Sequence, residues 1–205
     1  GMGAFDLKPK TGEKYFLDVT YPTGIFKKFE LPKILQEGYV LSLNKVKENA
    51  IHLNILSSQR EEVSLIASVR GKSLYSTTLK VGQGTNTLVI PTKDFPAGVT
   101  QITLFDKNGF ARAERMTFVN LHKQLKVEIK TDKKEYLPRE KVQINLDVKD
   151  QTGSPTAAVL SLSVVDDQLL SYADDRSSNI LSWMLLEADI DAQIKDPVFY
   201  FNPDE

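Results

Sequence analysis

Apolar and polar residues alternate with a period of two along most of the 205-residue chain. KYFLDV (14–19), AIHLNIL (50–56), EVSLIASV (62–69), TNTLVI (85–90), TQITLF (100–105), MTFV (116–119), LKVEIK (125–130), VQINLDV (142–148) and VLSLSVV (159–165) each place one apolar set on a single face, which predicts short, half-buried strands. Turn signals separate them. Lys107-Asn108-Gly109 carries the Asn-Gly pair that suits a type I′ hairpin, because both central residues of that turn need positive φ. Arg70-Gly71-Lys72, Tyr21-Pro22-Thr23-Gly24 and Gln151-Thr152-Gly153-Ser154-Pro155 supply others, and Gly82-Gln83-Gly84, set between two strand patterns, reads as a hairpin turn. With no helical crossover between strands, the pattern predicts antiparallel sandwiches rather than a parallel sheet.

The rhythm pauses around FVNLHKQLK, which places a domain boundary near residues 121–124. The expected organisation is all-β: a first immunoglobulin-like sandwich over residues 4–121 and a second over 124–205. In the second, Val142, Ile144, Leu146 and Val148 should share one buried face. A single helix is predicted over residues 178–194, where serines precede the helix formers of SSNILSWMLLEADIDAQI. Laid out at 100° per residue, that helix is apolar around most of its circumference, so one side should pack on the second sandwich while Trp183 and Phe199–Phe201 face a second surface, that of the first sandwich, a neighbouring chain or a further region. With VFYF (198–201) behind it, Trp183, Phe199, Tyr200 and Phe201 become the candidate interaction surface.

Charge removes several function classes. Twenty-six basic and 27 acidic residues leave a formal net charge of −1, and the longest basic clusters are Lys27-Lys28 and Lys133-Lys134, so no nucleic-acid footprint is present. No window approaches the roughly 18–20 apolar residues of a membrane span. The complete lack of cysteine excludes thiolate metal sites, disulfides, a cysteine nucleophile and an internal thioester in this sequence. Gly1-Met2-Gly3 reads as a residual tag, with no signal-peptide pattern behind it.

No candidate chemistry assembles a catalytic, cofactor or metal site. Asp166 and Asp167 end a predicted strand, where adjacent side chains point to opposite faces, so they read as a turn or cap rather than as a carboxylate pair. Glu187, Asp189 and Asp191 space acids at every second position, but lack the glycine of a calcium loop and fall on a predicted solvated helix face. His52 and His122 have no neighbouring ligand in sequence, and Ser64, Ser161 and Ser163 lack a nucleophile elbow. Tyr15, Phe26, Phe29 and Tyr39 are spread too evenly to define a sugar-binding platform.

YLPREKVQINLDVKDQTGSPTAAVLSLSVVDDQLL (136–170) resembles a macroglobulin domain, the sandwich repeated along α-macroglobulins and complement-like proteins. LPKILQEGYVLS, IPTKDFPAGVTQITLFDKNGFARAERMTFVN and NILSWMLLEADI with IKDPVFYF are similar to the large macroglobulin-type proteins of Bacteroidetes. The resemblance implies macroglobulin-type sandwiches in a cell-envelope protein, periplasmic or associated with the outer membrane. Its partners would be other domains of the same polypeptide or another protein. It also leaves open a protease-trapping inhibitor and an accessory module of a TonB-linked nutrient-uptake protein. The family's thioester element, Cys-Gly-Glu-Gln, has no counterpart here, and the one short polar stretch in the position of a bait loop is Ser171–Ser178 with its single basic residue, Arg176.

Overall fold

A computed structural model describes residue 5 and residues 7–10, 12–21, 26–47, 49–165 and 179–201. The fold is all-β, with eleven described strands in four antiparallel sheets and one short helix near the C-terminus. The strands are β1 (Phe16–Val19), β2 (Lys27–Glu30), β3 (Tyr39–Lys47), β4 (Ala50–Ser57), β5 (Glu61–Val69), β6 (Lys72–Val81), β7 (Gly84–Pro91), β8 (Gly98–Phe105), β9 (Ala111–Val119), β10 (Lys126–Thr131) and β11 (Ile144–Lys149). The helix α1 covers Ile180–Leu185.

Strands β3 to β9 form a sandwich, a three-stranded sheet ordered β3-β4-β7 against a four-stranded sheet ordered β6-β5-β8-β9. Alternation explains the layering. Ile51, Leu53 and Ile55 of β4 and Val63, Leu65, Ala67 and Val69 of β5 are buried, and they meet Leu41, Ile90, Ile102, Leu104 and Val119 in one core. Each of the Val, Leu and Ile side chains contributes on the order of 1.5–3 kcal/mol by leaving water. Phe95, from the loop between β7 and β8, plugs one end of this core.

Turn chemistry fixes the registers. Val69 pairs with Lys72 across Arg70-Gly71, whose φ values of 48° and 72° make the β5–β6 link a type I′ turn. The expected type I′ turn at Asn108-Gly109 is instead a wider loop. Only Gly109 has positive φ there, its N–H donates to the Asp106 carbonyl at 3.0 Å, and Arg112 is the extra residue that shifts the register at Phe105. The reason is Asp106, whose Oδ1 accepts from the N–H groups of Asn108 (2.8 Å) and Phe110 (3.0 Å) and so winds the chain around itself. Gly82-Gln83-Gly84 also departs from expectation. It carries the chain from β6 in one sheet to β7 in the other, with the Asn86 side chain bonded to Gly82 N (2.8 Å), Gly82 O (2.9 Å) and Gly84 O (3.1 Å) at the corner.

The expected boundary at 121–124 is a tied turn. Asn120 is buried with φ 56°, and its amide donates to the Thr92 carbonyl (2.7 Å) and the Phe95 carbonyl (2.8 Å). Lys123 Nζ also donates to the Phe95 carbonyl, at 2.9 Å.

Beyond it, β10 and β11 pair as a two-stranded hairpin, Lys126 opposite Lys149 through Thr131 opposite Ile144. Two expectations fail here. Val142 and Leu146 remain 43% and 41% exposed, because no second sheet among the described residues covers their face. Residues 159–165 form no strand, and Val159, Leu160, Leu162, Val164 and Val165 are exposed. The chain does turn back after β11, through Asp150–Ser154, and Lys149 bridges Pro155 while Thr156 N–H reaches the Val148 carbonyl at 3.1 Å. Pro155 has no N–H to donate, and the pairing goes no further.

Candidate functional site

The predicted helix over 178–194 is shorter and more broken than its pattern suggested. Asn179, not a serine, is its N-cap, accepting from Ser182 N–H at 2.9 Å while Ser182 Oγ accepts from Asn179 N–H at 3.0 Å. After Leu185 the chain tightens into a 3₁₀ turn, Glu187–Asp189, and later into a second, Pro197–Phe201. The fully buried Ser182 hydroxyl donates to Glu187 Oε1 at 3.1 Å, which draws the first turn back against the helix.

This segment lies on the first sandwich, where the outer face of β8 and β9 offers it an apolar seat, and not on the second as its pattern led one to expect. The outward face of β8 and β9 carries the cross-strand pairs Val99–Phe118, Gln101–Met116 and Thr103–Glu114. Phe201 meets Phe118 edge to face, with ring centres 5.6 Å apart and planes at 83°. Ala188 and Asp189 close a hollow of about 270 Å³ with Ser68, Arg70, Gly71, Val99, Gln101 and Met116. Val99 points away from the sandwich core yet is buried, because the segment covers it. Pro197 is buried as well.

Asp189 is the unusual group in the hollow. Its Oδ2 is buried without a hydrogen-bond partner, and the loss of water pushes its carboxyl above the ordinary aspartate range, opposed in part by the charge of Arg70. Arg70 itself donates from Nη2 to the Ala97 carbonyl at 3.2 Å.

The candidate surface residues separate. Trp183, Phe199 and Tyr200 are 57%, 54% and 46% exposed, with the Phe199 and Tyr200 rings in edge contact at 5.6 Å. Ile180 and Met184 extend the exposed apolar set. Phe201 points the other way, into the contact with Phe118. No sequence signal distinguished it from its neighbours, since a 3₁₀ turn changes facing from one residue to the next.

The acidic triplet is dispersed rather than gathered on a helix face: Glu187 holds Ser182, Asp189 enters the hollow and Asp191 is exposed. Among the described residues no three His, Asp or Glu side chains gather as a metal site. No helix among them is long and apolar enough to cross a membrane. His52 is half-buried on the face of β4 opposite Leu53, and His122 is exposed. Tyr39 packs against the core, whereas Phe16, Phe26 and Phe29 are exposed on and beside the small β1–β2 hairpin. Asp166, Asp167, Arg176 and the Ser171–Ser178 stretch lie outside the described residues.

No family model matches the sequence, and no curated protein is significantly similar to it. Among solved structures, a GH3 β-glucosidase from Bifidobacterium adolescentis aligns with 49% of this chain at 11% identity and a TM-score of 0.26. The aligned part spans 19% of that enzyme's length.

Proposed function

We propose that this chain is a non-catalytic binding and spacer module of a larger macroglobulin-like protein of the cell envelope. In this reading residues 4–121 and 124–205 are tandem macroglobulin-type domains, periplasmic or attached to the outer membrane. Their contacts are with other domains of the same polypeptide or with another protein. The sandwich of β3 to β9 provides the rigid platform.

The observation that carries the reading is the side on which apolar surface is left uncovered. Trp183, Met184, Phe199 and Tyr200 face outward from a segment already seated on the sandwich, and Leu160, Leu162 and Val164 lie bare on the return arm after β11. Aromatic and methionine side chains gathered in this way are the composition of interface cores. The resemblance of residues 136–170 to a macroglobulin domain supplies the larger context.

The test is amine cross-linking of the full-length native polypeptide in cell-envelope fractions, using the exposed Lys195 as a reporter beside the patch. Cross-links from Lys195 to a neighbouring domain or protein, reduced several-fold by a combined Trp183→Ser and Phe199→Ser change, are expected. Unchanged cross-links would remove this surface from the function, and hydrolytic activity of the purified protein on glycans or peptides would overturn the non-catalytic reading.

A further inference from the structure

The contact between residues 179–201 and the outer face of the β8–β9 pair is small, apolar at one end and electrostatically unfavourable at the other. Phe201 on Phe118 and the covered Val99 favour closure. Against them, Asp189 brings a carboxylate oxygen into the interface with no hydrogen bond to replace its lost water. A carboxylate oxygen buried without a hydrogen bond opposes the very contact that buries it.

Arg70 does not cancel this penalty. Its guanidinium is drawn to the Ala97 carbonyl, and the turn that holds it fixes its backbone at φ 48°. The remaining lining groups, Ser68, Gly71, Val99, Gln101, Met116 and Ala188, carry no charge. On the segment itself, Glu187 accepts from Ser182 and Asp191 is exposed.

We propose that residues 179–201 form a reversible strap over the outer face of the four-stranded sheet, fastened at Phe118 by Phe201 and kept loose by the unpartnered carboxylate of Asp189. Opening exposes Val99 and Phe118 while the sandwich core stays intact, because the strand residues of that core lie on the opposite faces of β8 and β9. The strap stands independently of the binding reading above.

The sign of the pH effect follows from burial. The closed form raises the Asp189 pKa, so closure is strongest with the carboxyl protonated, below the ordinary aspartate value, and weakens as pH rises through the raised value.

Hydrogen exchange by NMR on the whole chain tests this. The reporters are the amides of Trp183 and Leu186, bonded to the Asn179 and Ser182 carbonyls at 2.9 and 3.0 Å. They should exchange faster than the core amides of β4 and β5. Asp189→Asn should slow them, and Phe201→Ala should speed them about tenfold, as loss of an aromatic contact worth a decade in the equilibrium implies. After correction for intrinsic chemistry, wild-type exchange should slow as the pH is lowered toward 4, an effect absent in Asp189→Asn. Unchanged β4 and β5 amides in both variants show that the sandwich is intact. Exchange of Trp183 and Leu186 only through global unfolding, no slowing in Asp189→Asn, or protection that grows with protein concentration would overturn the intramolecular strap.

Discussion

Asn120 does at one position what the sequence offered only as a pause in the strand rhythm. It adopts a left-handed backbone, which Asn tolerates better than most residues, and its buried amide holds the carbonyls of Thr92 and Phe95. Asn120→Ala should therefore lower stability by about 2–4 kcal/mol, from two buried acceptors left unpaired plus backbone strain, measured by urea denaturation. Asn120→Gly, which relieves the strain and not the lost bonds, should recover only part of it. Asp106 makes a pH-dependent counterpart. Partial burial pushes its carboxyl up, but the Phe110 N–H, Arg112 and the Asn108 N–H together hold it below the ordinary range. Its contribution is present above the unfolded value near pH ~4 and is lost as pH falls through the lowered folded value. The stability gap between wild type and Asp106→Asn should be constant from about pH 5 to 8 and close on further acidification. The sequence marked the neighbourhoods, the Asn108-Gly109 turn beside Asp106 and the pause around Asn120, but neither residue itself. Their hydrogen-bond partners, up to 28 residues away for Asn120, were not legible in it.

At the scale of elements, alternation was legible wherever a face is buried on one side only. Ile51, Leu53 and Ile55 of β4 and Val63, Leu65 and Val69 of β5 lie in the core as their spacing required. The edge strand β6 escaped notice because SLYSTTLKV fills its alternating positions with Thr and Lys as well as apolar residues, and β2, KKFE, is exposed at every position. Pattern also overstated what it could fix. VLSLSVV has the alternation of a strand and an Asp-x-x-Gly turn before it, wound by Asp150 as Asp106 winds its own, yet among the described residues it finds no partner beyond Pro155. Alternation states which face would be buried, and pairing must come from another strand. The same contrast separates two leucines. Leu53→Ala should cost about 2–5 kcal/mol by opening a cavity in a closed core, whereas Leu146→Ala, on the uncovered hairpin face, should cost less than about 1 kcal/mol. Equal losses in thermal or urea unfolding would mean that the β10–β11 face is covered after all. The helix was over-read for a related reason. Helix propensity continues through EADIDAQI, but Leu186 leaves helical geometry at φ −133° and ψ −62°, and the Ser182 hydroxyl draws Glu187 back against the helix, which ends at Leu185.

Across the whole molecule, closed core and open surface are divided along the chain. Strands β3 to β9 contain the buried cluster, and the residues from β10 onward contribute an exposed hairpin, a bare return arm and the strap. Elements that recognise partners are drawn from the low-stability end of a fold, so this division is the physical basis for treating the sandwich as platform and the rest as contact surface. The sequence showed the β character of both halves alike, because local alternation is the same in each. It could not show that only one half closes among the described residues, since closure depends on pairings between distant segments. Native-state hydrogen exchange of the intact chain under increasing urea tests this division most directly. The amides of Ile51–Ile55, Val63–Val69 and Thr100–Leu104 should exchange only through global unfolding, while those of Lys126–Thr131 and Ile144–Lys149 open at far lower free energy. Exchange of both groups through one common unfolding event would contradict it.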